Sequence, residues 1–484
     1  MSARTDTALA PRAPSALARA LEDNGLVIVT VAAFALVMLV ELKKGLLVDG
    51  WLALAAGREI AHHGLPSHDV LTVWAHGRHW VDQQWLAQLA LYGLVRVGGI
   101  KLALLVHAAC GVSGLALAAA AARRLGGSAR STTWVCIPVL VAVYPVASVM
   151  RTQSFAFPLF SGVLWLLAAD GRSPSRRVFL TLPLLALWAN LHGSVVLGAG
   201  LVALAGLVQL VQARGRSNRG LALLLAPWAC LFASPYAPRL PGYYEKILVG
   251  GHFGRYVSEW APTTLTYSTA AVFLLVLGGV WLIGRAGARL SWFEKLAFLA
   301  MSLVAFQAVR NTAWIGLAAL VALPRLLDSL RQPAEEPRRL NRILASAMVG
   351  AIAVSVLGVS TNPPSWFESG FPAADARAAA AVAGPHGKVI ATTGYADWLL
   401  WSSPGLRGRV AFDARYELLT NAEMSRIAAF SGRVGGWLDT TKGYSVVVLG
   451  EQTERPLEQA LLDSGRARLV RRDSAVAVLR LRRP

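Results

Sequence analysis

Acidic residues are scarce in this chain: 27 Asp and Glu stand against 47 Lys and Arg, and charged residues together fill only 15% of its 484 positions. A soluble domain is about 25% charged, so the shortage argues against water as the solvent for most of the sequence. Cysteine is equally thin. Its three copies, Cys110, Cys136 and Cys230, all fall inside apolar runs, where a thiol packs as a small hydrophobe. They build neither a disulfide framework nor a cysteine metal site. A Walker phosphate loop, a dinucleotide fingerprint and zinc-finger spacing are also lacking. The net charge of +20 is therefore not read as a nucleic-acid surface, because its Arg and Lys residues lie mostly in short connectors between apolar runs. Charge placed that way orients a chain in a membrane.

Hydrophobic residues are what the chain has in excess, at 55%. Apolar runs of about 18 residues or more recur, too long and too frequent for buried core helices. The first, Leu26–Val48, follows a polar head with Arg4, Arg12 and Arg19; without a small-residue cleavage site it reads as an uncleaved first helix. Further runs are Ile100–Ala122, Thr133–Met150, Phe155–Ala169, Val178–Asn190 and Val195–Ala213. Gly220–Pro235, Ser268–Gly284, Lys295–Val309, Ala313–Leu327 and Ile343–Ser360 complete the set. The expected fold class is a membrane all-α protein of about eleven spanning helices. Trp85–Val97 is short for a span and reads as an interfacial segment or an extension of the second helix.

The connectors alternate in character. One set holds Arg123, Arg124 and Arg130, then Arg172, Arg176 and Arg177, then Arg214, Arg216 and Arg219, then Arg285, Arg289 and Lys295, and the stretch from Arg325 to Arg342. By the positive-inside rule this set is cytoplasmic. The residues of the other set (43–84, 151–154, 191–194, 236–267 and 310–312) then lie outside, with the amino terminus inside and the carboxyl terminus outside. Three units are expected: a cytoplasmic tail 1–25, a membrane unit 26–360 with a long first outer loop 43–84, and an extracytoplasmic α/β unit 361–484. In the last, Ala373–Ala383 and Glu454–Ser464 read as helices, and Lys388–Thr392, Tyr444–Leu449 and Ala475–Leu481 as strands. Gly394–Trp398 and Phe412–Tyr416 are polar-aromatic segments that either face the membrane unit or make turns and interface packing.

Varied polar residues gather on the outer side. Asp49 stands where the first run leaves the apolar layer, where apolar neighbours raise the basicity of a carboxylate as a general base requires; the bland alternative is a solvated helix end. Asp69 and Asp82 are secondary acids in the same loop, and His63 with Asp69 is a candidate pair for a divalent cation, although the spacing matches no metal motif. Arg151 and Arg310 sit in connectors so short that each must lie at the bilayer edge, where it either faces a polar cavity or snorkels to lipid headgroups. A guanidinium fork matches phosphate geometry. With His192 they form the expected phosphate pocket, and Gln153, Asn190, Glu259, Trp260 and Asn311 are expected around it.

Together these features resemble the GT-C superfamily of polytopic glycosyltransferases. The resemblance rests on Asp49 after the first span, the first loop with Gly57-Arg58-Glu59, His63-Gly64-Leu65-Pro66, Asp69, Gly77, Trp80 and Trp85, and on Trp188-Ala189-Asn190-Leu191-His192-Gly193-Ser194. It is nearest to bacterial members of uncertain substrate. The departures are a lone Asp49 before Gly50 in place of an acidic pair, no DxD or WWDxG motif, and Asp82-Gln83-Gln84-Trp85 where His and Glu are expected before Trp. The resemblance implies a plasma-membrane enzyme that moves a sugar from a polyprenyl-phosphate donor to an extracytoplasmic acceptor. Asp49 would be the base, and Arg151, Arg310 and His192 would hold the phosphate. A transporter or flippase of an anionic or lipid-linked substrate, or a silent scaffold of envelope assembly, are the competing readings. In intact cells, single cysteines at Ser173 and Ser217 are expected to resist impermeant thiol reagents and one at Ser67 to be labelled; labelling at Ser173 would reverse the side assignment.

Overall fold

The computed structural model describes residues 15–248, 253–332, 337–451 and 454–482; most of the expected amino-terminal tail and His252 lie outside them. The chain opens with α1 (Ala16–Val40), capped by the Ser15 side chain, then α2 (Val48–His63) and α3 (Trp85–Arg124). Next come α4 (Ala129–Ala147), α5 (Ala156–Asp170), α6 (Thr181–Trp188), α7 (Val195–Gln212), α8 (Asn218–Leu231) and α9 (Leu240–Leu248). The helices α10 (Ala270–Ala286), α11 (Trp292–Gln307), α12 (Thr312–Ala322), α13 (Pro324–Asp328) and α14 (Arg338–Thr361) complete the apolar part. Seven helical segments among the described residues are long and apolar enough to cross a membrane. Each of the remaining expected runs is helical but shorter, α12 being 11 residues and α8 14. The protein is thus a multi-pass membrane protein, with seven helices of spanning length among the described residues where about eleven spans were expected.

One expectation about the start of the chain needs correction. The first helix does not run to Val48: it begins at Ala16, ends at Val40, and hands over through a 3-10 turn to α2. Asp49 is consequently in the first turn of a second helix, not at the end of the first. Of the two readings of Trp85–Val97, the structure takes the extension of the second expected helix. It is the first part of α3, set off by a kink where Gly98 and Gly99 leave helical geometry; Gly99 takes φ +71°, a conformation open chiefly to glycine.

The two sets of connectors collect at two ends of the bundle. Arg123 Nε donates to Asn24 Oδ1 (2.7 Å) and Arg342 Nη1 to Glu22 Oε1 (2.9 Å). Ser128 Oγ donates to Asp328 (2.5 Å), and Arg172 donates to the carbonyl of Leu125. These bonds gather the basic connectors with the start of α1. The other connectors meet at the opposite end, around α2.

There a small α/β unit docks. It contains α15 (Pro364–Phe367), α16 (Ala373–Ala383), β1 (Val389–Ala391), α17 (Thr393–Ser402), α18 (Asn421–Gly432), β2 (Val446–Gly450), α19 (Arg455–Asp463), β3 (Ala467–Arg472) and β4 (Val476–Leu481). The sheet order is β1-β2-β4-β3, parallel between β1 and β2 and antiparallel elsewhere. Sequence reading found the two inner strands, β1, α16 and α19; it missed β3, whose outward residues lack alternation, and α17 and α18. The β1 edge is not left open. Val410 bridges both Val389 and Thr72, and Val73 N donates to Val410 O (2.8 Å), so the first connector adds itself to the sheet. Arg58 donates to the carbonyls of Trp401 (2.7 Å) and Leu400 (2.5 Å), and Arg78 forks onto Glu423 with two 2.7 Å bonds.

Helix α2 lies tightly on α3 at Gly57, where an added Cβ would meet the backbone carbonyl of Gln88 and the Cβ of Tyr92. Backbone cannot move aside as a flexible side chain can. Gly57→Ala is therefore expected to destabilise the protein by about 1–3 kcal/mol, read as a lower thermal midpoint in detergent; an unchanged midpoint would show that α2 is free to shift.

Candidate active site

The polar end of the bundle encloses a cavity of about 520 Å³ between the helices and the α/β unit. Backbone hydrogen bonds explain why distant residues meet in it. Met150 N donates to Gly45 O (2.7 Å), which sets the Arg151 connector beside the start of α2 and Asp49. Val309 N donates to Ala261 O and Thr263 N to Phe306 O, both at 3.1 Å, which lays the Glu259-Trp260 turn over Arg310. Gln83 Nε2 donates to Ala189 O (3.0 Å) and Leu86 N to Asn190 O (3.1 Å), which holds the turn after α6 and brings His192 to the wall. Asp49, Arg151, His192 and Arg310 all line the one cavity.

Its charges are coupled. Arg151 donates through both terminal nitrogens to Glu259, at 2.6 Å for Nη1, and its Nε lies 3.1 Å from Asp49 Oδ2, off the hydrogen-bond axis. Burial works against the Arg151 cation, but Asp49 and Glu259 outweigh it and raise its pKa. Arg310 has its guanidinium 4.3 Å from the Trp260 ring centroid, a cation–π geometry. Burial, and then repulsion from Arg151, lowers its pKa. His192 is pushed down to about 3 by burial and by Arg310 and Arg151, so its ring is neutral at physiological pH. Its Nδ1 receives the Ser194 N–H (3.1 Å) and faces the Ser194 hydroxyl (2.8 Å). A backbone N–H can only donate, so the ring proton sits on Nε2.

The other residues singled out in the sequence divide. Gln153, Glu259, Trp260 and Asn311 line the cavity. Asn190 does not: its amide donates to Ala186 O (2.9 Å) and Ala233 O (2.6 Å) and accepts from Trp85 Nε1 (2.9 Å), a clamp between turns. Asp69 is also absent from the lining. It is fully buried, accepts from Leu71 N, Thr72 N and Thr72 Oγ1, and pairs with Arg415 at 2.5 Å, so its lone pairs are committed. The His63–Asp69 metal pair is not assembled, since His63 is exposed and faces Glu59 at 3.2 Å. Among the described residues no three His, Cys, Asp or Glu side chains gather as a metal site would need. Asp82 lies just behind the lining, and burial pushes its carboxyl up to about 7.

Sequence reasoning passed over part of the wall. Thr393, Arg415, Tyr416 and Glu417 come from the α/β unit, and Gln84, Gln88 and Tyr243 from the membrane part. The polar-aromatic Phe412–Tyr416 segment was the available signal; of its two readings, the structure takes the one that faces the membrane unit.

No protein-family model and no curated protein matches the chain. Solved structures do. What they share with this chain is the fold, a membrane helix bundle. ArnT from Cupriavidus metallidurans, solved bound to undecaprenyl phosphate, is similar with a TM-score of 0.51 at 17% identity, over 94% of this chain and 98% of that one. The archaeal oligosaccharyltransferase AglB from Archaeoglobus fulgidus, in complex with an inhibitory peptide and a dolichol-phosphate, is similar with a TM-score of 0.53 at 11% identity, over 91% of this chain and 70% of that one.

The Asp82 carboxyl keeps its proton to about pH 7 in the folded state, against 3.8 for the unperturbed group. The folded state binds the extra proton between those values, so the stability it contributes is full at low pH and is lost as pH rises through about 7. Asp82→Asn is expected to flatten the fall in thermal midpoint between about pH 4 and 7; an unaltered profile would assign the fall to other groups.

Proposed function

We propose that this protein is a GT-C-type inverting glycosyltransferase. It moves a sugar from a polyprenyl-phosphate donor to an acceptor on the extracytoplasmic side of the plasma membrane. In this reading the basic connectors are cytoplasmic, residues 26–360 form the membrane unit and 361–484 the outer unit. The observation that carries it is the convergence of Asp49, Arg151 and Arg310 on one cavity at one end of an apolar bundle. Neighbours of the same fold, solved with undecaprenyl phosphate and a dolichol-phosphate, support the class of donor.

The residues suffice for the chemistry. An acceptor hydroxyl oxygen attacks the anomeric carbon while the bond from that carbon to the phosphate oxygen breaks, its electron pair leaving on phosphate. Asp49 takes the hydroxyl proton. Arg151 and Arg310 stabilise the charge that grows on the departing phosphate. His192, neutral with its proton on Nε2, donates a hydrogen bond rather than a positive charge. Glu259 keeps Arg151 oriented before the donor arrives, and the phosphate takes over the fork that this carboxylate holds.

Asp49→Asn conserves shape but removes the basic oxygen, and is expected to abolish transfer from a purified lipid-linked sugar in a protein that still folds. Retained turnover would eliminate Asp49 as the base. Arg151→Ala and Arg310→Ala should each weaken donor binding by about 1.5–3 kcal/mol, the usual loss for a charge-assisted hydrogen bond. The two losses should not add, because both groups share one phosphate. Lysine should rescue each only in part, keeping charge without the fork. Additive losses with full rescue by lysine would place the two arginines at separate sites.

A further inference from the structure

Two glutamine oxygens in the cavity wall are buried without a partner. Gln153 is 3% exposed and Gln88 4%, both line the cavity, and the Oε1 of each lacks a hydrogen-bond partner among the described residues. An orphaned buried acceptor is costly, so a wall that keeps two is built for something that arrives with donors. Their neighbour Gln84, one turn before Gln88 on the same helix face, also lines the cavity, and its Oε1 is already taken by the Thr152 hydroxyl. Its NH2 is left to donate. The wall therefore offers two acceptors and a donor, the pattern that hydroxyl groups answer, since each both gives and receives a hydrogen bond.

The wall is also uncharged, although it adjoins Arg151 in sequence. Asp49 and Glu259 are engaged with Arg151, and the remaining lining carboxylate, Glu417, belongs to the roof beside Arg415. The carboxyl behind Gln88 is Asp82, which burial pushes up to about 7, so an ammonium or a carboxylate held against Gln84, Gln88 and Gln153 would meet no full opposite charge in the lining, and a buried charge without one is costly. We infer that Gln84, Gln88 and Gln153 form the subsite for the transferred sugar, and that this sugar is neutral and polyhydroxylated, neither an amino sugar nor a uronic acid. The inference rests on the polyprenyl-phosphate reading of the same cavity and adds the substrate class.

Binding to the full-length protein in detergent tests it with four probes: a short polyprenyl phosphate alone, and the same lipid phosphate carrying a neutral hexose, an amino sugar or a uronic acid. The hexose conjugate should bind about tenfold more tightly than the bare lipid phosphate, the increment of one or two satisfied acceptors. Gln153→Leu and Gln88→Leu should erase most of that gain while leaving the bare lipid phosphate unaffected, which also shows that the variants are folded. Gln153→Glu should shift the preference toward the amino sugar. A wild-type preference for either charged sugar, or a hexose gain that survives both leucine variants, overturns the subsite. Failure of the bare lipid phosphate to bind overturns the donor reading itself and the subsite with it.

Discussion

Arg415 lies almost out of reach of water between Asp69 and Asp413, 2.5 Å from a carboxylate oxygen of each, with its guanidinium carbon 4.1 Å from the centroid of Trp80. Asp69 and Trp80 belong to the first connector; Arg415 and Asp413 belong to the α/β unit. Burying three charges this way gains little stability by itself, because desolvation offsets the attraction, but removing one partner leaves an uncompensated charge and costs about 3–5 kcal/mol. The triplet thus works as a register pin. It fixes how the α/β unit sits on the connector, and through the Arg415-Tyr416-Glu417 segment it places the roof of the cavity.

The cavity below obeys the same rule with a different outcome. Apart from Arg415 and Glu417 in its roof, two arginines and two carboxylates balance within it, yet among the described residues only Arg151 is in ion-pair reach of Asp49 and Glu259, while Arg310 rests on the Trp260 ring. A site so arranged is neutral when empty and has one cation with capacity for an anion. The helices contribute rigidity, and their apolar surfaces leave the polar groups only the ends of the bundle at which to gather.

Much of the fold was legible. Hydropathy found the apolar helices because lipid admits only long apolar segments, and alternating basic connectors separated the two ends because charge cannot stay in the apolar layer. Ala373–Ala383 was bounded to the residue because Gly384 takes φ +64°, a stop written in one glycine. The count of spans was less legible: α6, α8, α11 and α12 fall short of full length. The strand β3 was missed because Arg468, Arg471 and Arg472 interrupt the apolar alternation that marks a strand.

Residue type and position at the membrane edge singled out Asp49, Arg151, Arg310 and His192 as candidates, and the structure puts all four on the lining of one cavity. The same reasoning could not separate them from Asp69 and Asn190, which look as polar in sequence but spend their hydrogen-bonding capacity on Arg415 and on backbone carbonyls. It could not place Gln84 and Gln88 on the wall, because a glutamine at the start of a helix carries no sign of which neighbour it lacks. The sequence alone determined the solvent of each segment and the end of the bundle at which charge collects, since both follow from transfer energies of single residues. Only the tertiary structure decided which polar groups are satisfied and which are left waiting, because satisfaction is a property of pairs that lie, like Arg415 and Asp69, hundreds of residues apart.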